Sequence, residues 1–300
     1  MRASRNAAFI TFLGLMLGGT AQAADYTVTV EPNYPPAQAQ QVYRPLLAYL
    51  SKATGQRFIL KTAGNYHVYW RDMRGGTPTD FAFEEAHFTD YRINRQRFIP
   101  LARVADATKF TLLVDSSNAA AGANGLIGRR IASMSAPSLG YLLLGELYKN
   151  PIAQPEIQSV AASWKDGVEM VFAEETDAAM VPGYIAQTYP NLVSVATSRD
   201  FIGRAFSASP KVPADVRKKV ADALLRLHKD ASLYEVISEL GATQFVPATA
   251  AEYAGNERLL RGVFGYQPLP SRAAPRTVAA PGTKPAPKGL SITAERAGKK

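Results

Sequence analysis

The chain of 300 residues carries 34 Lys and Arg against 25 Asp and Glu, a formal net charge of +9, and has no cysteine. Residues 1–23 hold +2 of that charge and residues 267–300 hold +6, which leaves +1 for residues 24–266. A nearly neutral body argues against a nucleic-acid partner, which needs clustered Lys and Arg on the folded surface. Without cysteine, the chain has neither disulfides nor a thioether lipid anchor.

The N-terminal residues have the pattern of an export signal. Arg2 and Arg5 precede the apolar residues 9–17, and Ala21-Gln22-Ala23 is an A-x-A cleavage site. The apolar stretch is shorter than the roughly 20 residues that a membrane-spanning helix needs. We therefore expect residues 1–23 to be removed as a signal peptide. The product would be a periplasmic protein, neither lipidated nor inserted in a membrane; an uncleaved anchor is the alternative.

Strand and helix patterns alternate through the first part of the chain. Residues 26–30 alternate as a strand, and residues 37–54 carry apolar side chains at helical spacing up to Gly55. Pro45 falls inside this helix, where we expect a kink or a break. Further strands are predicted at 58–60, 80–83 and 110–114, with a helix at 66–75.

The middle and the end of the chain repeat this alternation. A strand is predicted within 126–133 and another at 177–182. Between them, Ser138 and Ser163 are suited to capping the N-termini of two helices. A short return strand at 206–208 and helices at 213–227 and 232–240 follow.

Alternating strands and helices predict an α/β fold of two lobes, with mainly parallel sheets flanked by helices and a ligand cleft between the lobes. We expect residues 24–115 and 205–266 to form the first lobe and residues 116–204 the second. Residues 267–300, rich in Pro, Ala and Lys, are predicted to be a disordered tail.

Ligands of open α/β sheets bind beyond the carboxyl ends of the strands. This rule indicates the loops 33–36, 84–87, 135–138 and 182–184, together with the helix start at Ser163.

An ordered set of short motifs resembles the phosphate/phosphite/phosphonate-binding receptors of ABC importers over roughly residues 25–255. The motifs are PAQAQ at 36–40, YRPL at 43–46, YLSKATG at 49–55, LIGRRIA at 126–132, DAAMVP at 177–182, ASP at 208–210, VPA at 212–214, LGA at 240–242 and FVPAT at 245–249. The resemblance implies a type II periplasmic-binding fold, in which two crossing strands join two lobes around one small molecule. We expect the hinge near residues 111–116 and 204–207.

The sequence departs from this family where the resemblance implies an anion grip. The family's Ser-Thr-Ser-Gly run corresponds to residues 137–140, which retain Ser138. Its cleft histidine corresponds to Trp164, and its Phe-Gly-Pro loop corresponds to Glu84-Glu85-Ala86. Because carboxylates repel a second anion in a dry cleft, the ligand is expected to be phosphonate-like or a related organic anion or zwitterion. A cationic or hydroxylated part and an aromatic or apolar part would suit this cleft better than simple phosphate.

Ten side chains are predicted to contact the ligand: Tyr34, Glu84, Glu85, His87, Ser135, Ser138, Tyr141, Ser163, Trp164 and Tyr184. The aromatic members are suited to stacking on a flat or cationic group. Each class also has a structural alternative. The serines at helix starts can be N-caps, the tryptophan can belong to the core, and one of two adjacent glutamates can face away from the cleft.

No catalytic motif accompanies these residues. A glycoside hydrolase needs two carboxyls facing each other across about 5–10 Å from separate elements, which adjacent residues on one strand do not provide. Three scattered histidines and no cysteine do not form a metal-ligand pattern. We expect a monomer without cofactor that is not an enzyme and delivers a small-molecule ligand to an ABC transporter permease. The alternative is a sensing module that docks on a membrane sensor kinase or chemoreceptor.

Overall fold

The computed structural model of the chain describes residues 24–268, in which two β-sheets are flanked by helices. The strands are β1 (Asp25–Val30), β2 (Arg57–Lys61), β3 (Phe81–Glu84), β4 (Ile99–Val104), β5 (Phe110–Val114), β6 (Arg130–Ala132), β7 (Glu156–Gln158), β8 (Ala178–Pro182), β9 (Val193–Thr197), β10 (Ala205–Ala208) and β11 (Phe245–Pro247). The α-helices are α1 (Pro36–Thr54), α2 (Tyr66–Arg74), α3 (Ala86–Tyr91), α4 (Leu139–Leu147), α5 (Trp164–Phe172), α6 (Gly183–Ala186), α7 (Ala214–Leu224), α8 (Tyr234–Glu239) and α9 (Ala250–Tyr253).

Shorter helical turns complete the secondary structure. A π-helical turn spans Arg92–Gln96, and 3₁₀ turns span Ser116–Ala121, Ala123–Leu126, Leu227–Lys229, Ala231–Leu233, Asn256–Leu260 and Val263–Gly265. The predicted signal peptide and residues 269–300 of the predicted tail lie outside the described residues.

The first sheet has six strands in the order β11-β4-β10-β3-β1-β2. Its buried face packs on α1, which begins at Pro36 and ends at Gly55 in the left-handed conformation. Proline suits the first turn of a helix, where its missing N–H has no partner to lose, and glycine suits a left-handed C-cap. Leu46, Leu47 and Leu50 of this helix are buried in the same core as Phe81. The helix is continuous through Pro45, so the predicted break is absent.

The second sheet has five strands in the order β7-β6-β8-β5-β9. Every residue of β5 and of β8 is buried, since helices cover both faces of these central strands. The small residues Ala178 and Ala179 of β8 let α5 approach closely, and Val168 of α5 is fully buried there. We refer to residues 24–104 and 204–268 as lobe 1 and to residues 110–197 as lobe 2.

Two chain segments cross between the lobes, at 105–109 and 198–203. They are hydrogen-bonded to each other, because Thr108 N donates to Phe201 O at 2.9 Å and Phe201 N donates to Thr108 O at 2.8 Å. The first crossing precedes β5, which pairs with β8 and β9. It therefore lies before the predicted lobe boundary at 115 and the predicted hinge at 111–116. The mostly apolar sequence of β5 indicates that the strand is buried, but it does not indicate which sheet the strand joins.

Both sheets are mixed rather than mainly parallel. The pairs β1–β2, β1–β3, β6–β7 and β6–β8 are parallel. The strands that adjoin the crossings, β4, β5, β9 and β10, pair antiparallel with their neighbours. Two of them, β5 and β10, follow a crossing rather than a helix, so the alternation of strands and helices did not indicate their direction. Within residues 24–268, no helix is long and apolar enough to cross a membrane.

Candidate functional site

The junction of the two lobes contains most of the residues that the sequence singled out. The clearest contact across it joins Asn33, in the loop after β1, to Trp164, the first residue of α5. Asn33 Oδ1 accepts a hydrogen bond from Trp164 Nε1 at 2.9 Å and another from the Tyr66 hydroxyl at 2.7 Å. All three side chains are buried. The loop at the carboxyl end of β1, one of the loops that the strand-end rule indicates, is thus bonded to the start of α5 in lobe 2.

Trp164 also covers the start of α4. A Cβ added to Gly140 would lie 3.0 Å from Trp164 Cη2 and 3.3 Å from Phe110 Cδ1, so the indole ring rests directly on this glycine. The Phe110 and Trp164 rings meet edge to face, 5.4 Å apart. An open helix N-terminus binds anions through its unpaired N–H groups. The first turn of α4 is instead covered by an aromatic ring.

Ser138 and Ser163 act as N-caps. Ser138 Oγ accepts from Tyr141 N at 3.2 Å and donates to Met134 O at 3.0 Å, so its hydroxyl is engaged within lobe 2. Ser163 Oγ accepts from Asp166 N at 3.0 Å. These bonds support the structural alternative for both serines. Ser135 contributes its carbonyl to Ser138 N at 2.9 Å, and the side chains of Ser135 and Tyr141 are partly exposed.

His87 makes a second contact between the lobes. It is fully buried, and its Nε2 lies 3.0 Å from Pro137 O in lobe 2. Because a carbonyl can only accept, Nε2 carries the proton and donates it. Burial lowers the pKa of His87 to about 3, so the ring is neutral at physiological pH. Its Nδ1 has no hydrogen-bond partner among the described residues.

Glu84, which the sequence predicts as a ligand contact, is bonded within lobe 1. Arg92 Nε lies 2.7 Å and 2.8 Å from its two carboxylate oxygens, and the Tyr69 hydroxyl donates to Oε1. All these groups are buried within lobe 1. The carboxylate is therefore neutralised by a charged partner and is engaged away from the junction.

Glu85 faces the other way and meets a second carboxylate, Glu31, which the sequence analysis missed. The Arg204 guanidinium approaches Glu85, with Nε 3.8 Å from Oε1. Glu31 and Glu85 are 2% and 5% exposed. Within residues 24–268, neither oxygen of Glu31 has a hydrogen-bond partner, and the same is true of Glu85 Oε2. Few buried polar atoms in proteins lack partners, and this pair contributes three such oxygens.

The surroundings of this pair favour the protonated form of both carboxyls. Burial raises the pKa of Glu85 to about 7, against the opposing effects of Arg204 and of the Thr108 hydroxyl. Burial and then the neighbouring charge of Glu85 raise the pKa of Glu31 well above its ordinary range, which Arg204 counteracts. The nearby backbone N–H of Glu85 lowers the pKa of Glu31 slightly. It does not have the geometry of a hydrogen bond to either oxygen of Glu31.

An open cavity of about 1170 Å³ adjoins the cluster. Its lining comes from both lobes and from the first crossing, and includes Thr108, Lys109, Tyr184, Arg204, Gly241 and Thr243. Tyr184, in α6, lies with its ring 5.6 Å from the Arg204 guanidinium. The ring also packs on Gly241, which has a φ of 60° and where a Cβ would overlap it. Tyr184 thus occupies the wall between the carboxylates and the cavity.

A polar contact closes the junction at its rim. The Tyr34 hydroxyl donates to Glu239 Oε1 at 2.8 Å, and Lys165 Nζ of lobe 2 lies 3.2 Å from both oxygens of the same carboxylate. Asn33 lay in a loop that strand-end reasoning indicated. Glu31, Arg204 and Glu239 carry no motif, and their partners are distant in sequence. No group of three His, Asp or Glu side chains between residues 24 and 268 could hold a metal ion.

Comparison with known proteins gives a consistent family. The model of the family described as "ABC transporter, phosphonate, periplasmic substrate-binding protein" matches residues 28–253. No curated protein matches the sequence significantly.

Solved structures resemble the fold over most of the chain. PhnD1 from Prochlorococcus marinus (MIT 9301), in complex with methylphosphonate, has a TM-score of 0.68 at 15% identity, with 81% of this chain and 99% of that chain covered. A binding protein component of an ABC phosphonate transporter from Pseudomonas aeruginosa has a TM-score of 0.65 at 13% identity, with 79% and 85% covered. A Xanthomonas citri protein bound to ATP has a TM-score of 0.59 at 15% identity, with 80% and 99% covered. At such identities the likeness concerns the fold, and it confirms the two-lobed α/β architecture.

Proposed function

Because the chain belongs to the family of periplasmic substrate-binding proteins of phosphonate ABC transporters, we propose that it captures a small organic molecule between its two lobes and delivers it to the permease of an importer. Membership in a family of transport proteins supports a binding role without catalysis. The export signal predicted for residues 1–23 supports a periplasmic location. A monomer with one ligand per chain is the simplest form of such a receptor.

The observation that carries this proposal is the set of bonds between the lobes. Asn33 with Trp164, His87 with Pro137, and Lys165 with Glu239 each join one lobe to the other. Two crossings that pair with each other form a narrow hinge. A ligand held by both lobes would favour the state in which these bonds are made, and that closed state would dock on the permease.

The residues we propose for ligand contact are those that face the junction: Tyr34, Glu85, His87, Trp164 and Tyr184 from the sequence, and Glu31, Asn33 and Arg204 from the structure. Ser135 and Tyr141 stay candidates at the partly exposed edge. A simple dianion would be repelled by two buried carboxylates. A phosphonate-like zwitterion or related organic molecule with a cationic part therefore fits better than phosphate.

The test begins with protein purified from its source periplasm, whose bound molecule is identified by native mass spectrometry and then titrated by calorimetry. We expect Trp164→Ala to weaken binding of that molecule by about 1–3 kcal/mol through lost contact area. Phe172→Ala removes a half-exposed ring from the same helix and is the matched control. Small-angle scattering should show compaction on binding.

Absence of any bound small molecule, together with unchanged scattering across a metabolite library, would contradict the receptor function. Capture from solubilised membranes identifies the partner. We expect a permease, whereas recovery of a sensor kinase or chemoreceptor would assign the protein to signalling instead.

A further inference from the structure

We propose that Glu31 and Glu85 form a subsite for an organic cation such as a ligand ammonium group, and that this subsite, rather than an anion grip, selects the ligand. The inference rests on the proposed receptor function and specifies which ligand chemistry the cleft recognises.

The first support is incomplete pairing. Three carboxylate oxygens, two from Glu31 and Glu85 Oε2, are buried without a hydrogen-bond partner among residues 24–268. Other buried polar side chains nearby, such as Asn33 at the junction and Glu84 within lobe 1, are engaged by protein donors, although His87 Nδ1 is not. Leaving a buried carboxylate unsatisfied is costly for folding. Hydrogen-bond donors of a bound ligand would supply the missing partners. The cost to folding would then be offset when the ligand binds.

The second support is the balance of charge. Two carboxylates face one guanidinium, that of Arg204, whose Nη2 donates to Leu240 O. Its Nε is 3.8 Å from Glu85, beyond hydrogen-bond distance. Arg92 is engaged by Glu84. When both carboxyls are ionised the cluster carries one excess negative charge, which a single ammonium would balance.

The third support is access and the aromatic surroundings. The cavity of about 1170 Å³ meets the cluster at Thr108 and Arg204, and both of these residues act on the charge of Glu85. The rings of Tyr43, Tyr66 and Tyr184 lie near enough to the carboxylates that each feels the charge of Glu31. Aromatic faces attract cations, so the rings complement the carboxylates.

The N-terminus of α4 is a poor alternative site for an anion. Trp164 covers Gly140 at the start of this helix, and the hydroxyl of Ser138 is engaged by Met134 O and Tyr141 N. This helix start therefore offers an anion few free donors, whereas the carboxylates of lobe 1 keep unpaired oxygens for a cation.

Cation binding at this subsite is coupled to proton release. The charged and titratable groups that face the pair are Arg204, Glu84, Tyr43, Tyr66, Tyr69, Tyr184 and Tyr253. Burial raises the pKa of Glu85 to about 7. Below that pH a carboxyl holds a proton and attracts a cation weakly. Cation affinity should therefore rise between pH 6 and pH 8, and calorimetry in buffers of different ionisation enthalpy should detect a released proton.

The experiment uses three matched probes on the full mature chain: methylphosphonate, aminomethylphosphonate and methylammonium. We expect both ammonium-bearing probes to bind about tenfold to a hundredfold more tightly than methylphosphonate, as expected for a hydrogen bond between charged groups. In Glu31→Gln/Glu85→Gln this preference should vanish. Glu169→Gln removes an exposed carboxylate from lobe 2 and should leave it unchanged.

The outcomes separate this subsite from receptor function itself. Tight binding of methylphosphonate with no gain from the ammonium would support the receptor and overturn the subsite. A preference that survives in the double variant, or failure of methylammonium and aminomethylphosphonate to bind wild-type protein, would overturn it equally. Circular dichroism of the double variant checks that it is folded. Receptor function itself fails if the protein from its source periplasm carries no small molecule of any class and its scattering is unchanged across a metabolite library.

Discussion

Glu84 and Glu85 are neighbours in the chain and both are buried, yet their carboxylates have opposite surroundings. Glu84 bonds Arg92 and Tyr69 inside lobe 1. Glu85 points to the junction, where Arg204 stands 3.8 Å away and Oε2 has no partner among the described residues. One carboxylate completes a structural network. The other belongs to a cluster that is short of positive charge.

The difference teaches that burial alone does not distinguish a structural carboxylate from one available to a ligand. A buried ion pair whose hydrogen bonds are all made is costly to break, because removing one partner leaves the other charge uncompensated. A buried carboxylate that lacks partners already carries that cost in the folded protein. Substituting each glutamate by its amide should therefore have unequal consequences.

The largest expected effect is that of Glu84→Gln. Arg92 would keep its buried charge without a counterion, and we expect a loss of about 3–5 kcal/mol in the free energy of unfolding. Glu85→Gln removes a carboxylate whose ionisation the folded state opposes, so at pH 7 it should leave stability unchanged or raise it, by up to about 3 kcal/mol. Urea unfolding at pH 7, with midpoint and slope fitted for each variant, measures both. Equal losses in the free energy of unfolding in the two variants would show that the difference in pairing between Glu84 and Glu85 does not affect stability.

This pair also shows how far the sequence leads. Strand ends indicated the loop after β3, and two adjacent glutamates on a strand end were expected to diverge. Which of them faces the junction depends on Arg92, only eight residues away in a helical turn, and on Arg204, which is distant in the chain. A single sequence does not indicate which arginine lies beside which glutamate.

Other parts of the site were predictable to different degrees. Ser138 and Ser163 are N-caps, and N-caps depend on local sequence, so their positions at helix starts could be predicted from the sequence alone. Trp164 was placed at the cleft by resemblance, and the structure adds its bond to Asn33. Glu31 was overlooked because a single acidic residue after a strand has no motif. Its importance arises from Glu85, which only the fold brings near.

The pH dependence of stability gives the next largest effect. The pKa of Glu85 is about 7 in the folded protein, above its ordinary value of 4.5. The folded state therefore holds the proton more tightly, and the contribution of Glu85 to stability should fall as the pH rises from 4.5 to 7. That loss approaches about 3 kcal/mol, since each pH unit in that window corresponds to roughly 1.4 kcal/mol. Glu85→Gln should remove this contribution, so the variant should gain stability relative to wild type as the pH rises through the window, as measured by thermal or urea unfolding at several pH values.

His87 changes stability with pH in the opposite direction, so wild type and Glu85→Gln must be compared with each other. Its pKa of about 3 in the folded protein lies below its ordinary 6.5, so its contribution is lost as the pH falls through that window. Both wild type and Glu85→Gln carry His87, and its effect cancels in their difference. If the two pH profiles ran parallel between pH 4.5 and 7, Glu85 would not be the titrating group.

The smallest effect separates capping from ligand contact at Ser163. Its hydroxyl accepts from Asp166 N at 3.0 Å, and removing an N-cap typically costs about 1 kcal/mol. Ser163→Ala should therefore lower the free energy of unfolding by about that amount, and Ser163→Asp, another good N-cap, should restore most of it. Ligand affinity, titrated with the molecule recovered from the source periplasm, should stay within about twofold in both variants, since the free energy involved is helix stability. A loss of affinity in Ser163→Ala that Ser163→Asp does not recover would instead place the hydroxyl against the ligand. Ser163 would then join Glu85 among the groups left for a partner from outside the chain.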